Sequence, residues 1–440
     1  MWTSHGIHRR GSDKDQGRSR EGVAVMGQIM SIFCPRCGRA CESTRYEESC
    51  GSCSSVLEVS MDLSGLGPGE RDALLAAPKR GLFRWWPFLP LADRASVVSL
   101  GEGDTPLLSA GRLGERLGFE RLYLKNDTVL PTGSLKDRSN AIGVSKAVEL
   151  GVPLVAVVST GNAAASVSAY AAAAGLRSVI MLPEETAPGK VAQAAAHGAE
   201  IVAVKGDYDR TAKLFAAAVR EFGWYACMSN NPYRNEGKKS YAYELWAQLG
   251  REAPQWLIHP TAGGLGLVAT WKGFNELYAL GWVDRLPRMV AAQASACAPI
   301  VEAYRSGSAD VRPVSAKETI AESIRVGYPK SLGWRALRDI RASGGTAIAL
   351  DEPEIREAWA LLARHAGIYA EPAGAISLAA AARLRQEGVI DPNDLTVCVI
   401  TGHGLKQPEI QGLTPPLPPA IEPNLESLRR RLSQERVDVC

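Results

Sequence analysis

No run of apolar residues in the 440-residue chain approaches the roughly 18 that a membrane-spanning helix needs. The amino-terminal stretch MWTSHGIHRRGSDKDQGRSREG has no apolar segment of the kind a secretory signal requires, and Asp13, Asp15 and Glu21 count against an organelle transit peptide. Net charge is only +3 and no basic block dominates, so nothing points to nucleic acid or a membrane surface as a partner. No internal repeat stands out. What is present is ordinary for a soluble globular chain, 46% hydrophobic and 22% charged. At roughly 100–200 residues per domain, the length allows two or three domains. Cysteine is the one uneven ingredient. Five of the nine cysteines fall between Cys34 and Cys53, which in a chain without a signal suggests a reducing compartment, the cytoplasm, and a metal site instead of disulfides.

Residues 1–29 are polar and aperiodic, and read as a disordered extension in which Met26 or Met30 is a candidate start. From Leu122 short β-rich runs alternate with helical ones. PLVAVVS (153–159), SVIMLP (178–183), EIVAVKG (200–206), WLIHPTAGG (256–264) and LTVCVITG (395–402) read as strands, and amphipathic or Ala-rich stretches follow most of them. Continuous Val/Ile/Leu runs separated by helices predict an α/β fold with parallel strands buried on both faces. Most of the strand-to-helix junctions carry Gly, Ser, Thr or Asn, and open α/β sheets bind ligands at those carboxyl ends. The predicted organisation is a cysteine module over 30–60, a catalytic core over 61–413 with a smaller subdomain at about 145–245, and a Pro-rich linker with a charged tail helix over 414–440.

In CPRCGRACESTRYEESCGSC, Cys34-x2-Cys37 and Cys50-x2-Cys53 form two knuckles. Such a pair places four thiolates at tetrahedral Zn–S distances of ~2.3 Å, and Gly38 and Gly51 suit the tight turns. A closed four-cysteine zinc site, resembling a zinc ribbon, is structural and not catalytic. Cys41 is spare, and Cys227, Cys297, Cys398 and Cys440 show no ligand spacing.

The stretch LPTGSLKDRSN (130–140) holds Lys136 between a turn and a helical run. Most lysines are surface charges, but a lysine at the positive end of a helix dipole is unfavourable unless something offsets it. A lysine fixed by such a turn suits Schiff-base chemistry with an aldehyde cofactor. A phosphorylated cofactor also needs an anion cradle, and TAGGLG (261–266) opens a helix at a strand end, where backbone N–H groups face an anion. STGNAAAS (159–166) offers Asn162 to a ring hydroxyl, and VITGHG offers Thr401 to a ring nitrogen. Read singly, Asn162 is equally well an N-cap and Thr401 a turn residue.

Taken in chain order, these pieces resemble the threonine synthases, members of the fold-type II pyridoxal-phosphate enzymes (tryptophan synthase beta-like). SLGEGDTPLL (99–108), PTGSLKDR, STGNAAAS, NPYRNEGKKSYAYE (231–244), GIYAEPAGAISLAA (367–380) and VITGHGLKQPE (399–409) carry the resemblance, which runs from the cysteine cluster to about Pro408. It implies two parallel-sheet α/β subdomains behind the cysteine module. It implies that Lys136 forms the Schiff base with pyridoxal 5′-phosphate and that Asn162 bonds the ring hydroxyl. Backbone N–H groups of Ala262, Gly263, Gly264, Leu265 and Gly266 would cradle the cofactor phosphate, and Thr401 would meet the ring nitrogen. Ser159 and Thr160 would lie near the substrate carboxylate, with Ser229 and Arg234 holding the phosphate of O-phosphohomoserine. Lys238 and Lys239 add cations that a solvated helix face explains equally well. The implied reaction converts O-phosphohomoserine and water to threonine and phosphate, in a homodimer with a small-molecule substrate and neither nucleic acid nor membrane as partner.

Departures from the family pattern concern the substrate and not the cofactor. The 262–266 loop has no asparagine, Met228 stands where a polar residue is common, and Leu135 and Ser139 stand where Phe and Gly are usual. They keep open a threonine/serine dehydratase-like lyase, or a β- or γ-replacement enzyme on another phosphorylated or hydroxy amino acid. A non-catalytic paralogue whose cysteine module binds a partner is the third reading, and the presence of Lys136, Asn162 and Thr401 together counts against it.

Overall fold

The computed structural model describes residues 28–41, 47, 49–78, 81–407 and 419–434. The extension expected to be disordered (up to residue 27), the start of the Pro-rich linker (414–418) and Cys440 lie outside the described residues.

The chain begins with a three-stranded antiparallel sheet, order β2-β1-β3, made of β1 (Ile29–Phe33), β2 (Ala40–Cys41) and β3 (Glu58–Met61). Two further sheets follow. The larger has six strands in the order β12-β11-β10-β13-β5-β4, drawn from β4 (Leu107–Ser109), β5 (Leu122–Asn126), β10 (Trp256–Pro260), β11 (Arg288–Ala294), β12 (Thr346–Leu350) and β13 (Thr396–Ile400). Within it only the β4–β5 pair is antiparallel. The smaller is a parallel four-stranded sheet, order β8-β7-β6-β9, of β6 (Leu154–Val158), β7 (Arg177–Pro183), β8 (Glu200–Val204) and β9 (Tyr225–Ala226). The parallel strands are those that the buried runs predict, and the division into two α/β sheets is the one the family resemblance implies.

Neighbouring strand residues feed opposite faces of the large sheet. Leu257, Val397 and Val399 join one core cluster, whereas Ile258, Cys398 and Ile400 join the other. Helices cover both faces, so each strand is apolar at nearly every position. β11 and β12 escaped the sequence reading because alanine dilutes them, as RMVAAQA and TAIAL, and alanine carries little β preference.

A buried ionic network joins the large sheet to the helix Lys136–Glu149. The Arg138 guanidinium, fully buried, donates to Asp127 Oδ2 at 2.8 Å, Glu244 Oε1 at 2.5 Å, Ser240 Oγ at 2.8 Å and Thr105 Oγ1 at 2.8 Å. It also lies over the Tyr241 ring, 4.2 Å from its centre. Lys125 Nζ pairs with the other face of the network, 2.6 Å from Glu244 Oε2. Burial alone would raise the Glu244 carboxyl, but Arg138 and Lys125 override it and hold the group at about 2. Glu244→Ala leaves buried Lys125 without a paired carboxylate and Arg138 with Asp127 alone. It should cost about 3–5 kcal/mol, read as a lower midpoint of urea unfolding, whereas Glu252→Ala, in exposed pairs with Arg121 and Arg285, should cost less than about 1 kcal/mol.

Candidate active site

Lys136 opens its helix directly after the turn at 132–135, which needs Gly133 at φ +79. The turn is stitched to the chain leaving β13. Leu135 N–H donates to the Thr401 carbonyl at 2.8 Å, and His403 N–H donates to the Gly133 carbonyl at 2.9 Å. The Asp137 carboxylate accepts from Thr132 N–H at 2.7 Å and from Thr132 Oγ1 at 2.5 Å, closing the turn on itself. Lys136 is therefore delivered beside Thr401 by backbone hydrogen bonds. Burial pushes the Lys136 ammonium down to about 8. The positive charge of Arg234 pushes the same way, and the Glu371 carboxylate opposes both.

Asn162 is the first residue of the helix Asn162–Ala174, just past the end of β6. Its Nδ2 donates to both oxygens of Glu371, at 2.9 and 3.1 Å. Glu371 also accepts from Ser323 Oγ at 3.2 Å, and its N–H donates to the Gly402 carbonyl at 2.8 Å. Glu371 thus ties Asn162 to the segment 401–403. The sequence reading quoted the segment holding Glu371 but gave it no role, because only the fold brings residue 371 to residue 162. Ser159 and Thr160, half-buried, occupy the same strand end, with Ser159 N–H donating to the Met181 carbonyl at 3.1 Å.

Residues 261–264 lead from β10 into the helix Leu265–Ala279. Gly264 has φ +98, and a Cβ there would lie 2.7 Å from Ala336 Cβ; at Gly266 it would lie 3.2 Å from His259 Nδ1. Side chains would fill this concavity, and the first N–H groups of a helix have no partner within it. A half-buried lysine, an amide at one strand end, a glycine cradle at another and a hydroxyl residue at a third suit an aldehyde cofactor that carries a phosphate.

Arg234 lies in the helix Pro232–Glu236, capped by Asn231. Its Nε donates to Asn140 Oδ1 at 2.7 Å, and its stem runs over Gly143, where an added Cβ would meet it at 3.4 Å. Ser229 is exposed before this helix. Lys238 and Lys239 are both buried, which removes the solvated-face explanation. Lys239 pairs with Glu236 at 2.7 Å and with Glu276 at 2.8 Å.

In the amino-terminal sheet, the sulfurs of Cys34, Cys37, Cys50 and Cys53 lie within 4.8 Å of one another, and Cys41 is not among them. Gly38 N–H donates to the Cys34 carbonyl at 2.9 Å and Ser54 N–H to that of Cys50 at 2.8 Å. The positive-φ residues of the two knuckles are Gly38 (φ +76) and Ser54 (φ +55), so the second turn relies on Ser54 where Gly51 was expected.

Residues 98–402 match the family described as pyridoxal-phosphate dependent enzyme, and the chain belongs to that family. A threonine synthase of Methanocaldococcus jannaschii is 39% identical over 91% of this chain and 99% of its own length. One from Methanosarcina acetivorans is 36% identical over 91% of this chain and 98% of its own. Within the family, the chain falls among the threonine synthases. In fold it is similar to a T.th. threonine deaminase (TM-score 0.58, 26% identity, 68% of this chain and 92% of that one). It is also similar in fold to maize serine racemase (TM-score 0.60, 19% identity, 76% and 93%).

The lowered Lys136 amine has a kinetic consequence. Only the neutral amine attacks an aldehyde, so capture of pyridoxal phosphate by the apoprotein should quicken by about tenfold per pH unit below 8 and level off above it. Stopped-flow absorbance follows this directly, and a midpoint near the ordinary lysine value of 10.5 would contradict the burial of this group.

Proposed function

We propose that the chain converts O-phosphohomoserine and water to threonine and phosphate, with Lys136 as its catalytic residue. The observation that carries this reading is the placement of Arg234, buried and bonded to Asn140, where its charge acts on Lys136. A lyase working on threonine or serine handles no substrate phosphate and has no use for a cation there. The relatives support the same choice, since the likeness to threonine synthases extends over 91% of the chain at 39% identity.

In this reading Ala262, Gly263, Gly264, Leu265 and Gly266 hold the cofactor phosphate through backbone N–H groups. Asn162, with its amide oriented by Glu371, holds the ring hydroxyl, and Thr401 faces the ring nitrogen. Lys136 supplies the amine that binds the cofactor aldehyde. When bound, the cofactor supplies the sink for the electrons left by loss of the α-proton. Where not bonded to the cofactor, the Lys136 amine would take that proton and return it elsewhere, and a value near 8 suits both directions. Ser159 and Thr160 orient the substrate carboxylate. Arg234 and Ser229 hold the substrate phosphate, and the Arg234 charge stabilises it as it departs.

The four clustered thiols are read as one structural zinc site, supported by their mutual distances and by the two matched knuckles. A cytoplasmic homodimer completes the reading. No described helix is long and apolar enough to cross a membrane.

Supplied with O-phosphohomoserine, the holoenzyme should release threonine and phosphate in equal amounts. Oxo-acid and ammonia from threonine or serine, without phosphate release, would replace this assignment with the dehydratase. Lys136→Ala should abolish the near-visible absorption band of the bound cofactor and lower kcat by at least about 10³-fold, since both the covalent anchor and the proton carrier go. Metal analysis should find about one zinc per chain, and none when Cys34 and Cys50 are both replaced by Ser.

A further inference from the structure

Lys238 is a buried amine with no carboxylate paired to it, the Asp127 charge alone acting in its favour from farther off. It sits in the single turn Gly237–Lys239 between the Arg234 helix and the helix Ser240–Gln248, and it is 4% exposed. Its backbone is held hard against the Lys136 helix, because a Cβ at the preceding Gly237 would lie 1.9 Å from the Arg138 carbonyl oxygen. Its neighbour Lys239 is matched by Glu236 and Glu276, and Lys272 by Glu236 at 2.7 Å. Among the described residues Lys238 has no carboxylate within ion-pair distance and no hydrogen-bond acceptor. The charges that act on it most strongly after burial itself are those of Lys136 and Arg234, both positive. Asn140 adds a further sign of an absent anion: it is fully buried, its Oδ1 holds Arg234, and its Nδ2 has no partner among the described residues.

A buried ammonium without a counter-ion is expensive, and so is an orphaned buried amide N–H. Both costs are met at once by a doubly charged oxyanion. We infer that Lys238 is a specificity-determining residue, the second cation of a phosphate-monoester subsite built with Arg234 and Asn140, which selects a dianionic phosphorylated amino acid over its neutral hydroxyl counterpart. The cofactor phosphate is the other monoester within reach, since the Lys238 charge also acts on His259, which lies against Gly266 at the start of the Leu265–Ala279 helix, and the cofactor arm of the test separates the two. The burial that pushes the Lys238 amine far down is relieved when the dianion arrives, so charge is recruited only with the correct substrate. The inference rests on the proposed reaction in one respect, that the monoester belongs to the substrate.

The test uses the holoenzyme with Lys238→Met, which keeps the alkyl stem and its packing, and Lys238→Arg, which restores the charge. Inorganic phosphate is the probe, as a competitive inhibitor and as a ligand perturbing the cofactor band. In Lys238→Met its inhibition constant and the KM for O-phosphohomoserine should each rise by about tenfold or more, with Lys238→Arg recovering most of the loss. The dissociation constant of pyridoxal phosphate should stay within about twofold throughout, because the ~tenfold change of a lost hydrogen bond would then be absent there. Unchanged phosphate affinity in Lys238→Met overturns the inference. So does a loss confined to cofactor affinity, which would give Lys238 to the cofactor phosphate. If the wild-type enzyme binds phosphate through Lys238 yet fails to turn over O-phosphohomoserine, the subsite stands and the proposed reaction falls. Turnover with a KM insensitive to residue 238 has the opposite meaning.

Discussion

The Arg138 guanidinium is the joint on which the site hangs. It lies two residues past Lys136, and its contacts reach Asp127 beyond the end of β5, Thr105 ahead of β4, and Ser240 and Glu244 on the helix after Lys238. Tyr241 closes the cluster by donating to Asp127 while its ring stacks under the same guanidinium. A charge set of this kind tolerates no partial opening, because any lost partner strands a buried ion. The first turn of the Lys136 helix therefore has one position relative to the large sheet. Lys136, the first residue of that turn and the only one of the helix's first five that is not fully buried, inherits the rigidity.

Around that fixed lysine the charges are sorted by side. Glu371 and Asn162 stand together next to Lys136, tied to the chain that leaves β13. Arg234 and Lys238 stand on segments packed against the Lys136 helix, with neutral Asn140 bonded to Arg234 from that helix. Burial raises Glu371 and lowers Lys136, so each ion relies on the other, while Lys238, beside Arg234, is pushed far down by burial and has no described carboxylate paired with it. A substrate bearing a phosphate supplies the missing sign on that side.

The β-rich runs were legible because they are continuous in Val, Ile and Leu, and the cradle was legible because Gly264 and Gly266 leave room that any side chain would fill. Lys136 was legible through its turn, since Gly133 needs φ +79 and Asp137 closes it. What sequence spacing concealed is of one kind. Glu371 acts on a residue 209 positions away, Asn140 is bonded to a side chain 94 positions away, and Lys238 looks like any solvated lysine until Gly237 is seen pressed on Arg138. Long-range pairing of polar groups leaves no periodic trace. Local rules also erred once, in the second cysteine knuckle, where Ser54 accepts the left-handed conformation that glycine usually takes.

The cysteine module is bound into the site at two points. Tyr233, the residue before Arg234, is buried in the core of the module with Ile32, Cys34, Cys50, Leu57 and Val59. Val56 packs with Leu265, the first residue of the cradle helix, and with Leu332. Ion pairs reinforce both seams, Glu58 with Arg335 at 2.7 Å and Lys272 with Glu236 at 2.7 Å, while Lys272 also donates to the Val59 carbonyl. A short helix of five residues, Pro232–Glu236, has too few internal hydrogen bonds to hold an arginine against an opposing positive field. The module supplies the missing hold, with the aromatic ring next to Arg234 buried beside the two cysteine knuckles. The amino-terminal cysteines thus pack behind the segment that carries Arg234, and the Arg138 network packs behind the segment that carries Lys136.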